Sequence, residues 1–271
     1  LRYEKLYDGM RMPVIGFGTY TLGGGLSTNR SHDRAHVGII KRAVELGYRH
    51  IDTAQMYGGG HTEELVGEAV SSFDRKELFI TTKVRSGDLA YRRVHQALEE
   101  SLRKLRTDYV DLYLIHWPNP SVPLGETFRA FNEIVKAGRT RYVGVSNFSV
   151  SQMEEVRGLS DVPLATNQVE YSLGTRAPER NGVLEFCRRH DILLTAYEPL
   201  GKGRLIGNRV LREVADRHGA STARVALAWL LGKPGVITIP MTSKEDHLSD
   251  NLASLDLNLD ERDMKTLEDV G

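Results

Sequence analysis

"RHIDTAQMYGGG", residues 49 to 60, starts as a strand and stops behaving like one just where burial should be completed, because Asp52 and then Tyr57 arrive in place of apolar side chains. An acid closing a strand, with a glycine-rich turn behind it, is how a βα unit looks when its loop carries chemistry. Seven further β-rich runs accompany the one at 48–54: "VIGFGTY" (14–20), "LFITTKV" (78–84), "VDLYLIHW" (110–117), "RYVGVSN" (141–147), "ATNQVEY" (165–171), "ILLTAYEP" (192–199) and "GVITIP" (235–240). Segments with apolar residues at helical spacing separate them, among them "RAHVGIIKRAVELG", "YRRVHQALEESLRKLR" and "FRAFNEIVKAG", so the chain alternates β and α. Gly47, Gly138 and Gly219 stand where helix C-terminal caps are expected. The gap before the last strand holds two helical patterns, the second opened by Ser221 as an N-cap. Eight such units fit an α/β fold, a single (β/α)8 TIM barrel domain over residues 1–271 with extra helices. An open doubly wound sheet satisfies the same count. "LYDGMRMP" reads as an N-terminal β-hairpin turning at Asp8-Gly9 and plugging the barrel's bottom.

Composition narrows the partners. Lys+Arg and Asp+Glu are both 36, so no net charge advertises nucleic acid, and small molecules are the expected partners. The single Cys187, read as buried in the helical "VLEFCRRH", excludes an intramolecular disulfide and a cysteine zinc cluster and suits a reducing compartment. No apolar run reaches the roughly 20 residues that span a bilayer, so the expectation is a cytoplasmic protein without a membrane partner, monomeric or a small homo-oligomer.

In a barrel of this kind function collects at the C-terminal strand ends. Asp52, Lys83, His116-Trp117, Ser146-Asn147, Gln168 and Tyr197 all fall there, with Tyr57 on the loop after Asp52. Burying several ionisable groups together costs several kcal/mol unless they pair. Their combination suits protonation of a forming alkoxide. A phenol of ordinary pKa, about 10, is a poor acid at neutral pH, and a neighbouring ammonium favours its anion. Lys83 is expected to lower the Tyr57 pKa in this way, with Asp52 holding Lys83 charged; a hundredfold gain in acidity needs about 2.7 kcal/mol. His116 is expected to donate to a carbonyl oxygen or relay the proton. With no metal-ligand set and no cysteine pair, electrons must come from a bound coenzyme. "GFGTY" has only a lone Gly-x-Gly and no helix behind it, which disfavours a Rossmann domain.

The chain resembles the aldo-keto reductases over nearly its whole length, through "MPVIGFGTY", "GYRHIDTAQMYG", "FITTKV", "YVDLYLIHWP", "RYVGVSNF", "NQVEYS", "TAYEPLGKG" and "VITIPMTSKEDHLSDNL". The resemblance implies NAD(P)H-dependent reduction of aldehydes and ketones by a catalytic tetrad of Asp52, Tyr57, Lys83 and His116. It also implies NADP(H) or NAD(H) laid across the rim: Ser146, Asn147 and Gln168 at the carboxamide, with Asp52 alongside, Tyr197 stacked on the nicotinamide, and Thr19 and Tyr20 on the approach. Leu200 and Gly201 would border the pyrophosphate, with Thr242, Ser243, His247 and Asn251 around the adenosine. Tyr20, Tyr57, His116 and Trp117 would meet the substrate.

Two departures carry expectations. Met241 and His247 occupy positions where many NADPH-preferring relatives have Lys and Arg, and Lys244 is the nearest replacement cation; dual coenzyme use or a shift towards NADH follows. The chain ends at Gly271, without the long C-terminal loop of many relatives, so a more open site is expected. Three rivals compete: a Schiff-base aldolase built on Lys83, a metal-dependent hydrolase using "HDRAH" (32–36), and a regulatory subunit that binds the coenzyme with vestigial turnover. The first leaves Tyr57, Asn147 and Tyr197 without roles. The second lacks a third ligand, and its two histidines are read as solvent-facing.

Overall fold

The computed structural model describes residues 1–270. Strands β1 (Tyr3–Lys5) and β2 (Arg11–Pro13) form an antiparallel hairpin that turns at Asp8-Gly9, with Gly9 at φ 87°. Eight parallel strands follow: β3 (Phe17–Gly18), β4 (His50–Asp52), β5 (Phe79–Val84), β6 (Val110–Ile115), β7 (Thr140–Ser146), β8 (Thr166–Glu170), β9 (Leu193–Tyr197) and β10 (Val236–Thr238). Each pairs with its successor. An isolated parallel bridge between Ile15 and Thr238 joins the ends, with the Gly16 N–H donating to Thr238 O at 2.8 Å and the Thr238 N–H to Val14 O at 2.9 Å. That seam closes the sheet and decides for the barrel against the open alternative.

Helices α1 (Asp33–Leu46), α2 (His61–Val70), α3 (Tyr91–Leu105), α4 (Leu124–Lys136) and α5 (Val150–Arg157) follow β3 to β7 in turn. After β8 come α6 (Ala177–Arg180) and α7 (Val183–Arg189); α8 (Arg209–His218) and α9 (Thr222–Leu231) both separate β9 from β10. Two more, α10 (Glu245–Leu252) and α11 (Glu261–Leu267), close the chain. Ser221 caps α9 by accepting the Arg224 N–H at 3.0 Å, and Gly47 and Gly219 end α1 and α8 in the left-handed conformation. Cys187 is free and buried in α7. Among the described residues no helix is long and apolar enough to cross a membrane.

Period-two alternation sorts side chains between two cores. Ile80 and Val84 of β5, and Tyr113 and Ile115 of β6, face the helices. Phe79, Leu112, Leu114, Tyr142, Leu193 and Ile237 fill the barrel with Leu6 and Met12 of the hairpin, whose Asp8 accepts the Tyr142 hydroxyl at 2.6 Å. Thus the hairpin seals one end, as expected, and leaves the other for polar residues.

The strands lie where expected, and all but β7 are shorter, most of all the first, with two laddered residues against the seven expected. The backbones approach closely at the seam. A Cβ on Gly16 would lie 2.6 Å from the His50 ring and one on Gly18 2.6 Å from Ile239 O. G18A should therefore destabilise the protein by about 1–3 kcal/mol through overpacking against backbone that cannot retreat, read from urea unfolding.

Candidate active site

The alternation that buries Phe79 in the barrel also aims Thr81 and Lys83 inward, and on β4 it aims His50 and Asp52. His116 continues the inward series of Leu112 and Leu114 just past β6, while Ser146 and Tyr197 end β7 and β9 and Gln168 sits within β8. Polar groups from six consecutive strands therefore share the rim opposite the hairpin.

At their centre is a buried ion pair. Lys83, 0% exposed, donates from Nζ to Asp52 Oδ1 at 2.6 Å and to Thr53 O at 2.8 Å, and its third reach is to Tyr57 Oη at 3.4 Å. Gln168 Nε2 occupies the other carboxylate oxygen at 2.9 Å. A second chain runs along the rim: Tyr197 Oη donates to Asn147 Oδ1 at 2.9 Å, Asn147 Nδ2 donates to His116 O at 3.2 Å and Ser146 Oγ at 3.0 Å, and Ser146 Oγ donates to Gln168 O at 2.8 Å. Asn147 does this from a left-handed backbone, φ 63°. The Tyr57 ring meets Tyr20 and His116 edge-on, at centroid distances of 5.2 and 5.6 Å.

The electrostatics correct one expectation. Burial holds the Tyr57 hydroxyl well above the ordinary phenol range, and the Asp52 carboxylate adds to the effect. The Lys83 ammonium at 3.4 Å favours the phenolate, but its charge is matched at 2.6 Å by Asp52 and burial outweighs it, so the phenol keeps its proton. Burial also lowers the Lys83 pKa, opposed by Asp52. His116 is pushed down to about 3, first by burial and then by the Lys83 ammonium, and its Nδ1 is buried without a partner. The resting site thus presents a protonated phenol beside a neutral imidazole.

These groups stand at one end of a groove of about 960 Å³. Its lining includes Thr19, Tyr20, Asp52, Tyr57, His116 and Trp117, with Asn147, Gln168, Tyr197 and Leu200, and also Thr242, His247 and Asn251. Lys83 and Ser146 are buried beneath the lining, Gly201 is buried in the turn beyond Leu200, and exposed Ser243 lies outside it. Met241 lines the groove beside Thr242, whereas Lys244 does not. Sequence reasoning missed Glu198, Lys202 and Ile206 after β9, Ser221 to Ala223 at the start of α9, and the acids Asp246 and Asp250. The signal for those before β10 is the long β9–β10 connection, which has room to fold back over the rim; Asp246 and Asp250 lie beyond it on α10.

The "HDRAH" pair is also corrected. His32 is exposed, but His36 is half-buried and accepts the Gly23 N–H at 3.1 Å, tethering the glycine-rich loop that lies against the Tyr57 turn. Among the described residues no group of His, Cys, Asp and Glu can hold a metal ion.

The profile of the Aldo/keto reductase family matches residues 14–271. The glyoxal reductase of Bacillus subtilis (strain 168) is 37% identical over 97% of this chain and 91% of its own. The crystal structure of a thermostable aldo-keto reductase in complex with the inhibitor epalrestat superposes with a TM-score of 0.97 at 44% identity, covering 100% of both chains. That of an aldo-keto reductase from Klebsiella pneumoniae in complex with NADPH gives 0.92 at 32% identity, covering 100% of this chain and 95% of its own.

A pH dependence follows from the two buried imidazoles, His116 at about 3 and His50, lowered by burial to about 4, against an ordinary value of 6.5. As pH falls below 6.5 the unfolded chain takes up protons there that the folded chain refuses, so stability falls until each folded value is passed. Urea midpoints should drop through this window, by at most about 1.4 kcal/mol per pH unit for each histidine, and H116Q should drop less steeply than the wild type.

Proposed function

This chain belongs to the aldo/keto reductase family, and from that premise we propose that it reduces small uncharged aldehydes and dicarbonyls to alcohols, Tyr57 delivering the proton. The chain is an NAD(P)H-dependent oxidoreductase. The observation that carries the residue assignment is the line Asp52–Lys83–Tyr57, with a buried ammonium 3.4 Å from a phenol at the end of a long groove. Two features favour a nicotinamide coenzyme in that groove. Partly exposed Tyr197 contributes its ring to the lining, together with the amides of Asn147 and Gln168. When bound, the nicotinamide supplies the electron pair, as hydride, to the carbonyl carbon.

The chain's own residues handle the proton. Tyr57 keeps its proton in the resting site, so it is available only to a base as strong as an alkoxide. Lys83 stands ready to stabilise the phenolate left behind, a charge that exists only once transfer has begun; this is preorganisation in the useful sense. Asp52 and Thr53 O hold the ammonium in place. His116, neutral, carries one ring N–H as a donor for the carbonyl oxygen. The substrate end is walled by Tyr20, Leu26, Met56 and Trp117, none of them charged, and Tyr20, Leu26 and Trp117 are exposed. This favours an open site for neutral carbonyl compounds, in keeping with the glyoxal reductase among the relatives.

Towards the adenosine end Met241 and His247 supply no permanent cation, the lining's Lys202 is paired with Glu198 at 3.1 Å, and Asp246 and Asp250 contribute carboxylates. A 2′-phosphate gains little there, so NADH is accepted alongside NADPH.

Consumption of NADPH and of NADH with glyoxal and methylglyoxal tests the activity. Y57F should lose about 10²–10⁴-fold in kcat while coenzyme affinity stays nearly unchanged; wild-type turnover would mean another group is the acid. M241K combined with H247R should tighten NADPH selectively in a fluorescence titration. Unchanged affinities for both coenzymes would refute the assignment of the adenosine end.

A further inference from the structure

Behind β5, on the side away from the barrel interior, lies a carboxyl group that the proposed chemistry does not use. Glu63, in the first turn of α2, is 0% exposed and accepts the Thr82 hydroxyl at Oε1 over 2.6 Å. Its Oε2 has no partner, nor do the buried Ser101 hydroxyl on α3 and the Tyr113 hydroxyl on β6, whose residue is the ladder partner of Thr82. Resting on the reading of Tyr57 as the acid, we propose that Glu63 is a positioning residue, which by gripping Thr82 fixes the start of α2 to the strand that carries Lys83 and so holds the Tyr57 hydroxyl at the ammonium.

The connection between the two sites is short and soft. Thr82 and Lys83 are neighbours on β5 with side chains on opposite faces. Tyr57 and α2 are separated only by Gly58, Gly59 and Gly60, at φ 57°, 63° and 93°, a run without side chains to pack. Such a turn takes its conformation from its anchors rather than from itself. On one side the Tyr57 N–H donates to Ala54 O at 3.1 Å and the Gly58 N–H to Gly25 O at 2.5 Å. On the other, Thr62 Oγ1 donates to Leu22 O, which ties α2 to the first βα loop. The Thr82–Glu63 bond is the side-chain tether between α2 and β5 itself. A slip there changes the Tyr57–Lys83 distance directly.

The charge state supports the same role. Burial raises the Glu63 pKa, opposed first by the Thr82 hydrogen bond, so a neutral carboxyl suits the site and an amide of the same shape can replace it.

T82V removes the donor at nearly constant volume, whereas T82S and E63Q keep a hydrogen bond. Steady-state kinetics, coenzyme titration and a pH–rate profile should be measured on each, with Y57F beside them. T82V should lose about tenfold or more in kcat, on the scale of the 10²-fold that a ~1 Å misplacement costs, with coenzyme affinity and carbonyl KM within about twofold. Its pH–rate profile should move from that of the wild type, because the phenol–ammonium distance sets the acidity of Tyr57, while T82S and E63Q should restore both rate and profile. Wild-type kcat and profile in T82V would overturn the inference, leaving Glu63 a purely structural group even if thermal stability fell. So would an E63Q as impaired as T82V, or equal losses in kcat and coenzyme affinity. Should T82V fail to fold, E63M against E63Q makes the same comparison. A Y57F that turns over defeats the reading of Tyr57, whereas an inactive Y57F beside an unimpaired T82V defeats only the role of Glu63.

Discussion

A lysine with no solvent exposure at all, placed inside a barrel, constrains everything around it. An isolated ammonium in such a place costs several kcal/mol, and Lys83 is tolerated because Asp52 Oδ1 and Thr53 O accept hydrogen bonds from it at 2.6 and 2.8 Å. Asp52 in turn needs its second oxygen filled, which Gln168 does from the fourth strand along. Gln168 O accepts from Ser146, Ser146 Oγ accepts from Asn147, and Asn147 accepts from Tyr197. The rim is therefore one hydrogen-bonded object, each member satisfied by the next. Buried ion pairs contribute little net stability, and well-packed apolar residues usually do as well. A pair kept at such expense, beside a phenol and facing a groove, is better explained by chemistry than by folding.

The fold supplies two conditions for that object. A closed barrel leaves no free strand edge, so the rim cannot slide in register; a one-residue shift in β5 would turn Lys83 towards the helices and Thr82 towards the interior. The hairpin fills the opposite end with Leu6 and Met12 against Phe79, Leu112 and Tyr142, which keeps water from reaching Lys83 from below. Stability and chemistry are thus divided between the two ends of the same strands.

Much of this was legible in the sequence for a simple reason. Strands have a strict period of two, so once the runs around Asp52, Lys83 and His116 are read as strands, the inward direction of those residues follows from their apolar neighbours. Closure was harder, since no local pattern states that residues 14–16 meet residue 238. Other features required three dimensions. The sign of the Tyr57 shift depends on how completely Asp52 cancels Lys83 and how dry the pocket is, and neither is a property of spacing. Glu198, Lys202 and Ile206 reach the groove because the β9–β10 connection folds back, and Glu63 reads in sequence as an ordinary polar residue near a helix start. His36 was misjudged because its partner is a backbone N–H, which leaves no mark in a sequence.

The raised phenol is a better arrangement for reduction than the acidified one that the residue types first suggest. A phenol ionised by its neighbour at neutral pH would have no proton to give when an alkoxide forms. In this site burial secures the proton, and Asp52 prevents Lys83 from drawing it off early. Transfer to the alkoxide then creates a phenolate 3.4 Å from an ammonium in a water-poor pocket, where attraction is far stronger than in bulk solvent. The lysine is an unhelpful neighbour to the reactant state and a helpful one to the product of proton transfer. Stabilising the phenolate lowers the barrier, while burial keeps the pKa high enough to hold the proton until an alkoxide forms.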